Sequence, residues 1–196
     1  MRCRLPRIAL GCLLGLAACT TPHAVPRGFA ALLAECPETS PARLWLDGDT
    51  IVGAAVALGP GALPAAVRLS LDAVAPRGEV VFQGREWGPR GEAFRIDKHY
   101  RIDGEEHDRS ALIAADGTVL ERSHSVPVPK APQDVLAAAM EFGTQIVEVH
   151  IVSGPEHEEY WRCVVQDRLG RTFVATVDLD ALLLGGVRRV HAVLHG

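Results

Sequence analysis

The 196-residue sequence lacks the short motifs that mark several common classes of enzyme. It has no Cys-x-x-Cys pair for zinc or redox chemistry and no Gly-x-Ser-x-Gly turn of an α/β-hydrolase. Gly59 and Gly61 are not followed by the glycine, lysine and hydroxyl residue of a phosphate-binding loop. The sequence therefore gives no support to a nucleotide-dependent, zinc-thiolate or serine-hydrolase activity, and it predicts no cofactor.

Long apolar runs and basic charge are scarce as well. The alanine- and valine-rich stretch 51–69 is interrupted by glycine and by Pro60 and Pro64, so it cannot form a membrane-spanning helix of about 20 residues. Twenty Lys and Arg face 24 Asp and Glu, which gives a net charge of −4. Because nucleic-acid binding needs a basic surface, the sequence predicts no nucleic-acid partner.

The first residues are organised like an export signal. Arg2, Arg4 and Arg7 precede an uncharged apolar run over residues 8–18, which is too short to span a bilayer as a helix. A basic start, a short apolar segment and small residues at its end are typical of a cleaved signal peptide. We therefore assign residues 1–18 to a signal and exclude them from the fold.

The end of this run is more specific. Leu16-Ala17-Ala18-Cys19 resembles the lipobox of bacterial lipoproteins. The resemblance implies cleavage before Cys19, a lipid on its sulfur and acylation of the new amino group, and several acyl chains anchor a protein stably. By resemblance to the lipoproteins of bacteria with two membranes, the absence of Asp at the next position, which is Thr20, favours the periplasmic face of the outer membrane over the inner membrane. The alternative is an ordinary secretory signal that is cut near Ala18.

Two cysteines remain after the signal and the anchor. Cys36 and Cys163 are candidates for a disulfide, because an exported chain reaches an oxidising compartment. The alternative is a buried free thiol at Cys163, which lies between Trp161 and Val165 on one face of an alternating segment.

Two helix starts with matching patterns divide the rest of the chain. Pro64 precedes Val67, Leu71 and Val74, whose spacing of i, i+4 and i+7 gives one apolar stripe. Pro132 precedes an equivalent stripe in which each residue lies 68 positions later. That second stripe consists of Val135, Ala139 and Phe142.

Alternating segments with turn residues between them follow each predicted helix. In residues 94–102, apolar side chains alternate with Arg95, Asp97, His99 and Arg101, which predicts a half-buried antiparallel strand. We predict an α+β fold of two helix-plus-antiparallel-sheet repeats that pack together. The predicted divisions are a signal (1–18), the lipidated Cys19 with a tether (19–42), a lead-in (43–62), repeat 1 (63–127) and repeat 2 (128–196).

The stretches "LPAAVRLSLDAVAP" and "ALIAADGTVLE" resemble those of PepSY-like domains, small periplasmic or secreted modules. The resemblance covers residues 63–126 well and 131–194 loosely, since the second copy lacks the Asp-Gly turn. It implies a binding role, such as inhibition of a protease or binding of a peptide or envelope polymer. The family brings no catalytic residues.

Two acidic segments are the remaining candidates for chemistry. Residues 105–108 and 156–159 surround His107 and His157 with carboxylates, which are ordinary metal ligands. Neither has His-Glu-x-x-His spacing, and solvated polar loops are the simpler interpretation, so we predict no metal. We expect a non-catalytic binding or inhibitory module for an envelope protein or peptide. The alternative is a metal-dependent or hydrolytic envelope enzyme that brings these histidines together at the repeat junction.

Overall fold

The computed structural model describes residues 27–34, 40–59 and 61–194. The signal, Cys19 and Cys36 lie outside these residues. Ten strands and three α-helices form the described part. The helices are α1 (Arg27–Ala34), α2 (Ala65–Val74) and α3 (Gln133–Ala139), with 3₁₀ turns at Val128–Lys130 and Met140–Phe142. The strands are β1 (Ser40–Asp47), β2 (Thr50–Ala57), β3 (Glu79–Gly88), β4 (Gly91–Ile102), β5 (Glu105–Ile113), β6 (Val119–Ser125), β7 (Gln145–Gly154), β8 (His157–Gln166), β9 (Thr172–Val177) and β10 (Leu183–Leu194).

All ten strands belong to one antiparallel sheet. Each strand pairs with its neighbours in the chain, and β1 also pairs with β10, with Ser40 opposite Leu194 and Leu46 opposite Arg188. This last pairing closes the sheet into a barrel.

The predicted α+β fold of two PepSY-like repeats is therefore wrong. Strands do follow α2 and α3 as expected, but all of them belong to one closed barrel and not to two helix-plus-sheet repeats. β6 pairs with β7 across the predicted junction, with Arg122 opposite Ser153. The predicted lead-in (43–62) lies largely within β1 and β2. These two strands close the barrel, because β1 pairs with β10 and β2 pairs with β3. Pairing between distant segments, rather than local repetition, sets the architecture.

The helices pack on the outside of the barrel. Val67 and Leu71 of α2 are buried against Ile96, Ala111 and Ile113 of the sheet. Lys98, which interrupts the apolar side of β4, is buried at the end of the same helix, and its ammonium group donates a hydrogen bond of 2.7 Å to the carbonyl of Ala75. A cation at this position also complements the negative end of the helix dipole. Val74 belonged to the predicted stripe, but its side chain is not among those described.

α1 covers another part of the outer surface. Phe29 and Leu32 of α1 lie on Leu44, Ala54 and Val56 of the first hairpin. Within the described residues, no helix combines the length and the apolar character that crossing a bilayer requires.

α3 covers Cys163 on the outer face of β8. Val135 and Ala139 pack in one cluster with Cys163, whose side chain is fully buried. The thiol is free in the described part of the chain, and its burial raises its pKa to about 11. Because Cys36 lies outside the described residues, the disulfide stays a prediction.

Candidate binding cavity

The polar side of the alternating strands faces the interior of the barrel. Arg95 and Asp97 of β4, which the sequence pattern assigned to the polar face, line a cavity of about 660 Å³ together with Trp45 and Tyr160. Ten charged residues contribute to the lining, five basic and five acidic. They are Arg43, Arg90, Arg95, Arg162, Arg189, Glu86, Asp97, Asp108, Glu121 and Glu148.

Glu121 of β6 is the most highly connected of these residues. Its carboxylate accepts hydrogen bonds from Arg162, from Arg90 at 3.1 Å and from the Tyr160 hydroxyl at 3.2 Å. Arg95 Nη2 lies 3.9 Å from Glu121 Oε1. Burial opposes the ionisation of Glu121. The attraction of three nearby guanidinium groups outweighs this effect of burial and lowers the pKa of Glu121 to about 2; they belong to Arg162, Arg95 and Arg90. The carboxylate is therefore ionised at every physiological pH.

Arg95 joins this group to a second carboxylate. Its guanidinium donates to both oxygens of Glu86, at 3.2 Å for the Nη2–Oε1 bond, and lies 5.9 Å from the centre of the Trp45 ring. Burial disfavours the charged form of Arg95, yet the attraction of Glu86 and Glu121 raises its pKa. The arginine thus stays charged inside the barrel.

The remaining charges of the cavity wall are also paired. Arg43 Nη1 lies 2.5 Å from Asp97 Oδ2, and Arg189 Nη2 lies 3.5 Å from Glu148 Oε1. His150 Nε2 lies 3.4 Å from Glu148 Oε2, and the pKa of Glu148 is lowered by this hydrogen bond and by Arg189, against the opposing effect of burial. Each arginine of the lining therefore has a carboxylate partner.

Three lining residues, His150, Ser123 and Arg189, each keep one buried polar atom without a partner. His150 Nδ1, Ser123 Oγ and Arg189 Nε are buried and make no hydrogen bond within the described structure. His150 and Ser123 are 7% and 5% exposed. Buried polar atoms of native proteins usually have a partner, so these three are candidate contacts for a bound molecule.

The structure does not bring the predicted histidines together. His107 lies near the start of β5 and stacks on Tyr100, with 5.4 Å between ring centres, while His157 begins β8. β6 shows how far apart they are. The start of β5, near His107, pairs with the end of β6. The end of β7, which leads into His157 at the start of β8, pairs with the first half of β6. The two histidines therefore lie at opposite ends of the barrel. Within the described residues, no group of three His, Cys, Asp or Glu side chains could hold a metal ion.

Sequence reasoning missed the residues of the cavity. The available signal was a recurrence of charged or polar residues at alternate strand positions, as in Arg95 and Asp97 of β4 or Glu148 and His150 of β7. An open sheet would present such a face to solvent, and only closure turns it inward.

His99 of β4, whose partner Asp108 lines the cavity, provides a test of this charge pattern. Its Nδ1 lies 2.8 Å from Asp108 Oδ1 and its Nε2 lies 2.6 Å from Glu106 Oε2, and these hydrogen bonds raise the pKa of the imidazole. We expect an NMR titration to place the pKa of His99 above the usual value of a histidine, and Asp108→Asn to lower it. The control is Glu156→Gln in the turn between β7 and β8. An unchanged His99 pKa in Asp108→Asn would contradict the assigned contacts.

Comparison with known proteins yields only distant structural similarity. No family model and no curated protein matches the chain. A candidate periplasmic protein from Bacteroides eggerthii superposes with a TM-score of 0.48 at 14% identity, over 65% of this chain and 90% of its own. A DUF2874 family protein from Bacteroides uniformis gives 0.47 at 14% identity, over 64% and 88%. A BLIP-like protein from Bacteroides fragilis gives 0.43 at 20% identity, over 65% and 89%.

Proposed function

We propose that this protein is a non-catalytic binding module of the bacterial cell envelope. It faces the periplasm, is held to the membrane by lipid on Cys19, and takes part of an envelope protein or peptide into the barrel. The cavity of about 660 Å³, whose wall carries both charged and apolar side chains, is the observation that carries this proposal, since its volume lies in the range of ligand-binding sites. Its internally paired charges need no metal or cofactor, and the acidic chain is a poor match for nucleic acid.

The closure of the sheet also limits the ways in which a partner can bind. An open sheet offers unpaired backbone groups at its edge, to which a peptide can add as a further strand. The pairing of β1 with β10 removes such an edge from the described sheet. A partner is therefore expected to insert a chain end or a loop into the cavity instead.

The anchor is tested by metabolic labelling with a fatty acid. The lipobox-like segment before Cys19 supports lipidation, so we expect the wild-type chain to incorporate label and Cys19→Ala to lose it almost completely. Cys12→Ala is the matched control and should label like the wild type. Labelling of Cys19→Ala at the wild-type level would show that the chain has no lipid on this residue. Membrane fractionation of the same strains distinguishes the outer from the inner membrane.

Binding in the cavity is tested by photocrosslinking in growing cells. A photoreactive phenylalanine in place of Trp45, which lines the cavity, should give a discrete adduct with an envelope protein. The same residue in place of Leu169, which is 78% exposed in a turn, is the control and should not give that adduct. If the Trp45 variant accumulates in folded form and yields the same products as the Leu169 variant, the cavity is not the binding site.

A further inference from the structure

The charges of the cavity compensate each other. Five arginines and five carboxylates line it, and each arginine is within 4 Å of a carboxylate, as in the contacts of Arg43 with Asp97 and of Arg189 with Glu148. The wall of the cavity therefore presents no arginine whose charge is left for a ligand to neutralise.

This balance disfavours a charged ligand. A carboxylate or ammonium group that entered the cavity would lose water and meet no unpaired counter-charge. It could gain one only by separating an existing pair, which would leave the other member of that pair buried and uncompensated. A ligand group without net charge avoids both penalties.

The unpartnered atoms disfavour a purely apolar ligand. His150 Nδ1 and Ser123 Oγ are buried in the cavity wall without a partner, and so is the Nε of Arg189. An apolar ligand would leave all three atoms without a hydrogen bond, whereas a polar ligand group can supply one. A serine hydroxyl can both donate and accept a hydrogen bond. A neutral imidazole donates from one ring nitrogen and accepts at the other, and Arg189 Nε–H can only donate. Together they match hydroxyl and amide groups.

We infer that the cavity binds an uncharged peptide segment that carries Ser, Thr, Asn or Gln side chains, with His150 and Ser123 as its recognition residues. This inference rests on the proposed binding function. The cavity wall offers three unpartnered atoms, which is enough for the few polar groups of a peptide segment. A sugar ring carries more hydroxyls, and each one that is buried would need a partner. Arg189 Nε–H is placed to donate to an amide oxygen of the segment.

Fluorescence anisotropy with the full chain in detergent micelles tests the inference. The probes are four pools of labelled nonapeptides with blocked termini and Gly/Ala flanks. Their three central positions are drawn from Ser, Thr, Asn and Gln, from Asp and Glu, from Lys and Arg, or from Leu, Ile and Val. We expect the Kd of the uncharged polar pool to be at least about tenfold lower than that of any other pool.

Matched variants locate the binding. His150→Ala and Ser123→Ala should each weaken binding of the uncharged polar pool by about tenfold. His124→Ala and Ser153→Ala are the controls, because they alter the same residue types on the opposite face of the same two strands, β6 and β7. Circular dichroism of all four variants establishes that they are folded.

Several results would overturn the inference. A charged or apolar pool that binds as tightly as the uncharged polar pool would do so, as would cavity variants that bind like the controls. Binding of a neutral chitooligosaccharide probe, with no peptide pool bound, would assign the cavity to glycans instead. If no pool binds while the Trp45 crosslink to an envelope protein forms, the peptide class is wrong and the proposed function stands. If the crosslink also fails to form, both the inferred ligand class and the proposed binding function are wrong.

Discussion

Glu121→Gln is expected to lower the free energy of unfolding by about 3 kcal/mol at pH 7, because removing one member of a buried ion pair leaves its partners uncompensated. In this protein the partners are Arg162, Arg95 and Arg90, and Glu121 itself is 5% exposed. Glutamine keeps the size and shape of the side chain, but it removes the charge and replaces one of the two acceptor oxygens with an NH2 donor, so the arginine and tyrosine donors also lose an acceptor. Urea unfolding of the wild type and the variant measures the difference.

The effect of this substitution depends on pH in a defined direction. The pKa of Glu121 is lowered from 4.5 to about 2, so its contribution to stability is fully present above about pH 4.5 and is lost as pH falls through about 2. The difference between the wild type and Glu121→Gln should therefore shrink as the pH falls from 4.5 toward 2. An equal difference at both ends of this interval would show that charge is not the cause.

A surface pair provides the control for Glu121. Glu105 pairs with Lys130 at 3.0 Å, and both side chains are more than half exposed. Exposed ion pairs contribute little because water screens them, so Glu105→Gln should leave the free energy of unfolding nearly unchanged. Equal destabilisation by the two substitutions would contradict the buried network.

Ile96→Ala is expected to destabilise the barrel by about 2–5 kcal/mol, the usual cost of truncating a buried large aliphatic side chain. Ile96 is fully buried on the outer face of β4, where it packs with Val67 and Leu71 of α2 and with Ile113 of β5. The truncation leaves a cavity between the sheet and the helix that the closed barrel cannot easily collapse to fill.

The same strand offers a matched control for Ile96. Ile102 ends β4 and is 46% exposed, so Ile102→Ala should cost less than about 1 kcal/mol in the same urea experiment. A small effect of Ile96→Ala together with a large one of Ile102→Ala would mean that α2 does not cover this part of the sheet.

Local structure was predictable from the sequence because local chemistry determines it. Pro64 and Pro132 mark the starts of α2 and α3, as their positions before apolar stripes indicate. The alternation through residues 94–102 predicts β4, and the Asp-Gly pair at 47–48 permits the turn between β1 and β2, where Gly48 has a φ of 57°.

The closure of the barrel was not predictable in the same way. Nothing in the local sequence of β1 or β10 shows that Leu44 lies opposite Val190, because this pairing depends on the sum of all the strand pairs between them. The side of the sheet that faces inward depends on closure as well. For that reason the sequence does not show that the polar face of Arg95 and Asp97 lines an interior, or that Glu121 and His150 belong to the same site.

The pairing of β1 with β10 has a kinetic consequence. Ser40 and Leu194 are separated by roughly 150 residues, and the entropy lost on closing a loop rises with its length. The hairpins of neighbouring strands are short-range contacts that form without this cost, so the seam between β1 and β10 is expected to form last. Until then, β1 is bonded only to β2 and β10 only to β9, so the unfinished barrel carries two open sheet edges whose unpaired backbone groups are a template for another chain.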